Sequence, residues 1–173
     1  NERKIKTYEP EVENLLKVAK NFRATTSNKE VIEQCDLIYT LVATPSLEDG
    51  FYDVSSVWQI IDDFQDVASV KYFVVGCTTN PGDCDNFRKQ LPSNVKVFYN
   101  PEFIAQGSII NDLRNADMVL LGTDPFSNND NIILDIRRLY EKIQTTRAIV
   151  CSMSTTAAEI TKIAINCFLT TKI

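Results

Sequence analysis

Any chemistry in this sequence must run on Cys, Lys, Asp, Glu, Asn or Thr, because its 173 residues include no histidine. That count removes Ser-His and Cys-His nucleophile pairs, and every histidine-based metal site, from within the chain. Near the C-terminal end, Glu159, Lys162 and Asn166 recur at i, i+3 and i+7, so on a helix they share one face, opposite Ile160, Ala164 and Phe168. An amine and an amide four residues apart can both donate to one developing oxyanion; the same pattern also describes a solvated face with a Glu-Lys pair. Glu102 is a candidate general base if a crevice closes over it, and an exposed loop glutamate if none does. Thr78 follows an apolar run, where it either faces a ligand or satisfies the backbone of its own turn. Thr44-Pro45 ends another apolar run, and proline there stops further ladder pairing. A loop at the carboxyl end of a parallel strand faces the ligand crevice of an open α/β sheet; without that context it is a plain strand-to-loop transition.

Composition narrows the setting. The net charge is −5, and no basic run is longer than Arg137-Arg138, so nucleic acid is not an expected partner. No apolar stretch approaches the roughly 18 residues of a membrane span, and Asn1-Glu2-Arg3-Lys4 leads into no hydrophobic region, so neither a membrane anchor nor a signal peptide is expected. The five cysteines (Cys35, Cys77, Cys84, Cys151, Cys167) are irregularly spaced with no C-x-x-C. They predict no disulfide framework and no metal site, a reducing cytoplasmic location, and small buried thiols.

The elements that must position these residues alternate between short β-branched runs and amphipathic stretches, the βαβ pattern of a mostly parallel sheet. Helices are predicted over Glu11–Lys20 (with Val12, Leu15, Leu16 and Ala19 on one face), Asn28–Gln34, Val54–Phe64 (with Val57, Ile60, Ile61 and Phe64 as the buried stripe), from the Asn80-Pro81-Gly82 turn to about Leu91, and over Asn131–Ile143. Strands are predicted over Phe22–Thr26, Asp36–Ala43, Val70–Cys77, Val95–Tyr99, Met118–Gly122 and Ala148–Ser152. A long helix follows over Thr155–Ile173, with Thr156 and Glu159 in the form of a capping box. The alternation gives way near Ser152–Ser154, so a domain boundary is expected there: residues 1–152 in one domain, 153–173 opening the next.

Four segments, in order, resemble the UDP-glucose/GDP-mannose dehydrogenase family of NAD-dependent nucleotide-sugar 6-dehydrogenases. Thr40-Leu41-Val42-Ala43-Thr44-Pro45-Ser46 is similar to the family's V-x-T-P loop, and Cys77-Thr78-Thr79-Asn80-Pro81-Gly82 to its S-T-V-P-P-G. Asn100-Pro101-Glu102-Phe103-Ile104-Ala105-Gln106-Gly107, with the tail Asp117-Met118-Val119-Leu120-Leu121-Gly122, resembles N-P-E-F-L-x-E-G … D-x-V-x-x-G. Glu159 to Leu169 resembles E-x-x-K-x-x-x-N-x-F-L, and Tyr8-Glu9-Pro10 the segment just after the family's second strand.

The resemblance implies a Rossmann-like, doubly wound α/β fold, incomplete at its N-terminus and ending in the start of a long helix of a central dimerisation domain. It implies NAD as cofactor, with Thr44, Pro45 and Thr78 against it, and a nucleotide-sugar, most often UDP-glucose, as substrate, with Phe103, Ile104, Ala105 and Gln106 along it. Catalysis would oxidise the sugar's C6 alcohol to a carboxylate through a cysteine-bound thioester: Lys162 and Asn166 would stabilise oxyanions, while Glu102, with Thr78, handles water. A homodimer or higher homo-oligomer is expected. The G-x-G-x-x-G fingerprint and the family's nucleophilic cysteine are both absent here, and in the family they lie upstream and downstream of this stretch, so the chain is expected to be an internal piece. Gln106 stands where most members have glutamate, Gly76 where many have lysine and Cys77 where most have serine. Rival readings are a non-catalytic remnant of the scaffold and another Rossmann dehydrogenase.

Overall fold

The computed structural model of the protein describes residues 5–123 and 130–171, and in them the alternating runs assemble into a five-stranded sheet. In chain order the elements are α1 (Val12–Val18), α2 (Asn28–Gln34), β1 (Leu37–Thr40), α3 (Ser55–Asp62), β2 (Lys71–Val75), α4 (Asp83–Gln90), β3 (Val95–Tyr99), α5 (Ile109–Arg114), β4 (Met118–Thr123), α6 (Asp130–Ile143), β5 (Ile149–Ser154) and α7 (Thr155–Thr171). The sheet order is β1-β2-β3-β4-β5. β1, β2 and β3 run parallel, as do β4 and β5, but β3 meets β4 antiparallel through the single pair Tyr99↔Gly122. The carboxyl ends of β3 and β4 therefore converge on one point.

The central strands β2, β3 and β4 are buried on both faces, which is why they read as continuous apolar runs rather than alternating ones. On one face Phe73, Val75, Val97, Tyr99 and Leu120 pack against α3, α4 and α7 through Val57, Ile61, Cys84, Phe87 and Ala158. On the other, Val74, Phe98 and Leu121 meet Ile132 and Ile136 of α6. Helices on both faces of a mostly parallel sheet make the doubly wound α/β fold expected from the sequence.

Several local expectations are corrected. Phe22–Thr26 forms no strand; Arg23 instead bonds Gln34 (2.9 Å) and pairs with Glu30 on α2. α1 forms, but none of its residues is buried, and Leu15 stays 39% exposed. α5 was not anticipated; it is six residues long, too short to show a helical period. Cys77 and Cys84 are buried as expected, whereas Cys35 and Cys167 are exposed. The capping box is also overturned: Ser154, not Thr156, accepts from the first turn of α7 at Ala157 N, and Glu159 bonds elsewhere. Lys172 and Ile173 of the expected last helix lie outside the described residues.

Gly122 is where the converging strands and α7 touch. A Cβ there would stand 2.9 Å from Tyr99 Cβ, 3.0 Å from Ala158 Cβ and 3.0 Å from Thr155 Cα. Backbone and core cannot yield to it cheaply. Gly122→Ala is expected to cost about 1–3 kcal/mol by overpacking, read as a lowered midpoint in urea unfolding of the full-length protein. An unchanged midpoint would mean that α7 shifts outward at no cost.

Candidate active site

The parallel strands β1, β2 and β3 end side by side, and backbone bonds carry the alignment past the strands. Gly76 N donates to Thr40 O (2.9 Å), Asn100 N to Val75 O (2.9 Å) and Glu102 N to Gly76 O (3.2 Å). These bonds set the segment around Glu102 beside the turn that carries Cys77 and Thr78. The loop after β1 is fastened to the same turn: Tyr52 N donates to Asn80 Oδ1 (2.7 Å), and Asn80 Nδ2 returns a bond to Tyr52 O (3.0 Å). The loops thus form a wall along the carboxyl edge of the sheet, where ligand crevices of open α/β folds lie.

α7 closes one side of that wall. Its polar face points inward: Glu159 and Lys162 are buried, while Ile160, Phe168 and Leu169 are exposed. Lys162 Nζ donates to the backbone carbonyl of Glu102 (2.5 Å) and lies 4.1 Å from the centroid of the Phe103 ring. Burial lowers the Lys162 pKa, and the nearby Glu102 charge partly restores it. Burial likewise raises the Glu102 pKa, with Lys162 pulling it back. The half-buried carboxylate also bears on the Cys77 thiol, which burial chiefly pushes up to about 11.

Of the residues expected from the sequence, Glu102, Phe103 and Lys162 are in direct contact. Asn166 is half-buried one turn further along α7, on the Lys162 face. Thr78 is half-buried between Cys77, beside Glu102, and Thr79, which is bonded to Glu159. Thr44 is half-buried and Pro45 exposed, at the far end of the wall on the loop after β1, and Asp53 N donates to Pro45 O (2.8 Å). Ile104 is half-buried, while Ala105 and Gln106 sit on an exposed turn. Asp112 holds that turn by accepting from Ala105 N (2.8 Å) and Ser108 Oγ (2.6 Å). Glu9 reaches it from the N-terminal segment, accepting from Gly107 N and Ile109 N. Phe103, Ile165 and Leu169 line an open groove of about 370 Å³ along α7. Among the described residues no group of three or more His, Cys, Asp or Glu could hold a metal ion, and no helix is long and apolar enough to cross a membrane.

Sequence reasoning missed Asn100, the joint of the sheet. It is 3% exposed, and its Nδ2 donates to Leu120 O (2.9 Å) across the gap where β3 and β4 share only one pair. Its Oδ1 accepts from Tyr39 on β1 (3.2 Å) and Tyr140 on α6 (2.8 Å). No periodicity marks such a residue; only its place directly before Pro101-Glu102 hints at it.

The family description "UDP-glucose/GDP-mannose dehydrogenase family, NAD binding domain" matches residues 1–144. The chain belongs to this family. It is 29% identical to a UDP-glucose 6-dehydrogenase of Rickettsia conorii over 180 residues, 100% of this chain and 40% of that protein. It is 28% identical to the Drosophila melanogaster UDP-glucose 6-dehydrogenase over 187 residues, 100% of this chain and 39% of that protein. Among solved structures, GDP-mannose dehydrogenase from Pseudomonas aeruginosa superposes with a TM-score of 0.82 at 20% identity, covering 95% of this chain and 40% of that one. UDP-glucose dehydrogenase from Pyrobaculum islandicum gives 0.80 at 23% identity, covering 94% and 39%. These likenesses show the Rossmann-like fold, and the chain spans about 40% of the length of such relatives.

Thr44 and Pro45 on the loop after β1 and Thr78 on the turn after β2 lie on segments that Asn80 holds to one another. The first turn of α4 is not free to cradle a phosphate, since Glu159 occupies the N–H groups of Gly82 and Cys84.

Asn100→Ala is expected to destabilise the fold by about 1–3 kcal/mol for each buried group left without a partner. Asn100→Asp keeps the acceptor for both tyrosines but sets a second carboxylate oxygen against Leu120 O in a buried position, so near neutral pH it should be no more stable than alanine in chemical denaturation. Equal stabilities for parent and alanine would mean the joint carries no energy.

Proposed function

We propose that this chain forms the NAD-facing and sugar-facing walls of an NAD-dependent nucleotide-sugar 6-dehydrogenase, acting on UDP-glucose. The observation that carries the reading is the buried Lys162 amine on the Glu102 carbonyl, 60 residues away in sequence, at the carboxyl edge of the sheet. It holds a helix-borne cation against the backbone of the loop that carries the Glu102 carboxylate, close enough for each charge to act on the other in a partly dry crevice, where electrostatic interactions are stronger than in water. The UDP-glucose 6-dehydrogenase names of the matched relatives support the substrate.

Oxidising a primary alcohol to a carboxylate removes two hydrides and adds one water oxygen. NAD, when bound against Thr44, Pro45 and Thr78, supplies the hydride acceptor for each oxidation. Lys162 and the Asn166 amide donate to the C6 oxygen as negative charge builds on it. Glu102 takes a proton from the water that attacks the acyl carbon of the thioester, with Thr78 orienting that water; the C–S bond breaks and the thiolate of the family's nucleophilic cysteine, which is not among this chain's residues, leaves. Phe103 to Gln106 run along the nucleotide-sugar and hold C6 in reach. Residues 1–152 act as the NAD-binding domain and 153–173 open the helix of the next. The exposed apolar side of α7 (Ile160, Phe168, Leu169) meets a second copy in a homodimer; light scattering that finds only monomer at micromolar concentration would remove that part.

The experiment is kinetic and uses the full-length protein. Lys162→Ala should lower kcat by about 10²–10³-fold, the cost of one oxyanion donor, with NAD affinity nearly unchanged. Glu102→Gln should slow hydrolysis more than oxidation, so a covalent acyl-enzyme accumulates and appears in the intact mass. The 173-residue chain by itself should reduce no NAD with UDP-glucose.

The pH profile carries a further expectation. Glu102 must be ionised to act as a base, and its pKa is raised, so activity should appear above the ordinary carboxylate range as pH increases. Lys162 must be protonated to donate, and its pKa is lowered, so activity should fade below the ordinary lysine range. Glu102→Gln should abolish the acid limb and Lys162→Arg should move the alkaline limb upward. An acid limb at the ordinary glutamate value that persists in Glu102→Gln would disprove the assignment.

A further inference from the structure

We infer that Glu159 is the positioning residue of this site: it fixes the height of α7 against the turn after β2 and so aims Lys162 at the reacting oxygen. The inference rests on the reading of Lys162 as the oxyanion donor. Glu159 is fully buried, and its carboxylate receives donors from one short turn. Thr79 Oγ1 (3.1 Å) and Cys84 N (2.8 Å) donate to Oε1, and Gly82 N (2.6 Å) donates to Oε2. Gly82 is at a φ of 94°, which exposes its N–H to α7 at no steric cost. Two of these donors belong to the α4 N-terminus, whose first N–H groups have no partner inside their own helix.

The grip is reciprocal. Asp85, in the first turn of α4, accepts from Thr155 Oγ1 (3.0 Å) and Thr156 Oγ1 (2.9 Å) at the start of α7. Each helix thus presents a carboxylate to the other's first turn, and together the contacts resist both sliding and rotation of α7. Lys162 follows Glu159 by three residues, on the same face. A slip of α7 by one residue would move the amine about 1.5 Å along the axis, enough to lift it off the Glu102 carbonyl. Thr78, between Cys77 and Thr79, is set by the same grip from the other side. The ionisation of Lys162 is governed by burial and by Glu102, so the contribution of Glu159 is one of geometry.

The test uses the full-length protein with NAD and UDP-glucose. Glu159→Gln keeps the shape but turns one acceptor into a donor facing an N–H group. A misplacement of this size costs up to about 10²-fold in rate, so kcat per active site should fall about 10–100-fold. KM for both substrates should stay within about twofold, the pattern of an interaction made in the transition state, and the alkaline limb of the pH profile should not move. A merely structural role would lower the folded fraction and leave kcat per folded site intact. Should Glu159→Gln fail to fold, Thr79→Val decides: it removes one of these donors at constant volume and should lose several-fold in kcat. Parental kcat in Thr79→Val, or in a folded Glu159→Gln, overturns the inference. Lys162→Ala, measured alongside, separates the two readings. If it retains parental turnover, the catalytic assignment fails and this inference with it; if it is inactive while Glu159→Gln is not, only the positioning role fails.

Discussion

The opening turn of a helix has N–H groups that its own backbone cannot satisfy, and burying them without partners is costly. In this domain the α4 N-terminus packs against α7, partly shielded from water, and the buried Glu159 carboxylate answers the Gly82 and Cys84 N–H groups. Burying a carboxylate is itself unfavourable. Burial raises the Glu159 pKa, and the Cys84 and Gly82 N–H groups, with the thiol of Cys84 and the hydroxyl of Thr79, draw it back. Two groups that would each be expensive alone are acceptable together, and only in one relative position of the helices. That mutual dependence fixes α7, and the site follows from where α7 lies.

A second constraint comes from the reversal in the sheet. Three parallel strands and a parallel pair of opposite direction join here over a short overlap, the single pair Tyr99↔Gly122. The ladder is too brief to hold the junction, so the Asn100 amide extends it to Leu120 O while its carbonyl gathers the Tyr39 and Tyr140 hydroxyls. Gly122 lets α7 come within contact of the same point. The segment that leaves this joint carries Glu102, so its backbone direction is settled by the strand junction before any side chain is considered.

Glu102 and Lys162 then meet in a crevice polar enough to keep both and dry enough to alter both. Burial moves their pKa values toward each other, and their mutual attraction limits the shift. A carboxylate made more basic and an amine made more acidic are better proton-transfer partners near neutral pH than either group in water. The Phe103 ring under the Lys162 ammonium supplies an apolar wall that still favours a cation.

Much of the fold was legible because it depends on local composition. α2 and β3 fall on their predicted residues, and the other strands of the sheet lie within or overlap their predicted spans. Phe22–Thr26 has the composition of a strand, but pairing needs a neighbour, and Arg23 turns to α2 instead. The sequence by itself determined the alternation of elements, the apolar faces, and the motifs that bind this chain to its family, because each is a pattern of neighbours along the chain. It also put Glu159, Lys162 and Asn166 on one helix face, since a helix's periodicity is fixed by its backbone. Which way that face points was decided only by tertiary structure. The spacing of Thr156 and Glu159 satisfies a capping box, yet Thr156 bonds Asp85 and Glu159 serves another helix. A carboxylate goes to whichever buried donors lack a partner, and those exist only once the chain has folded.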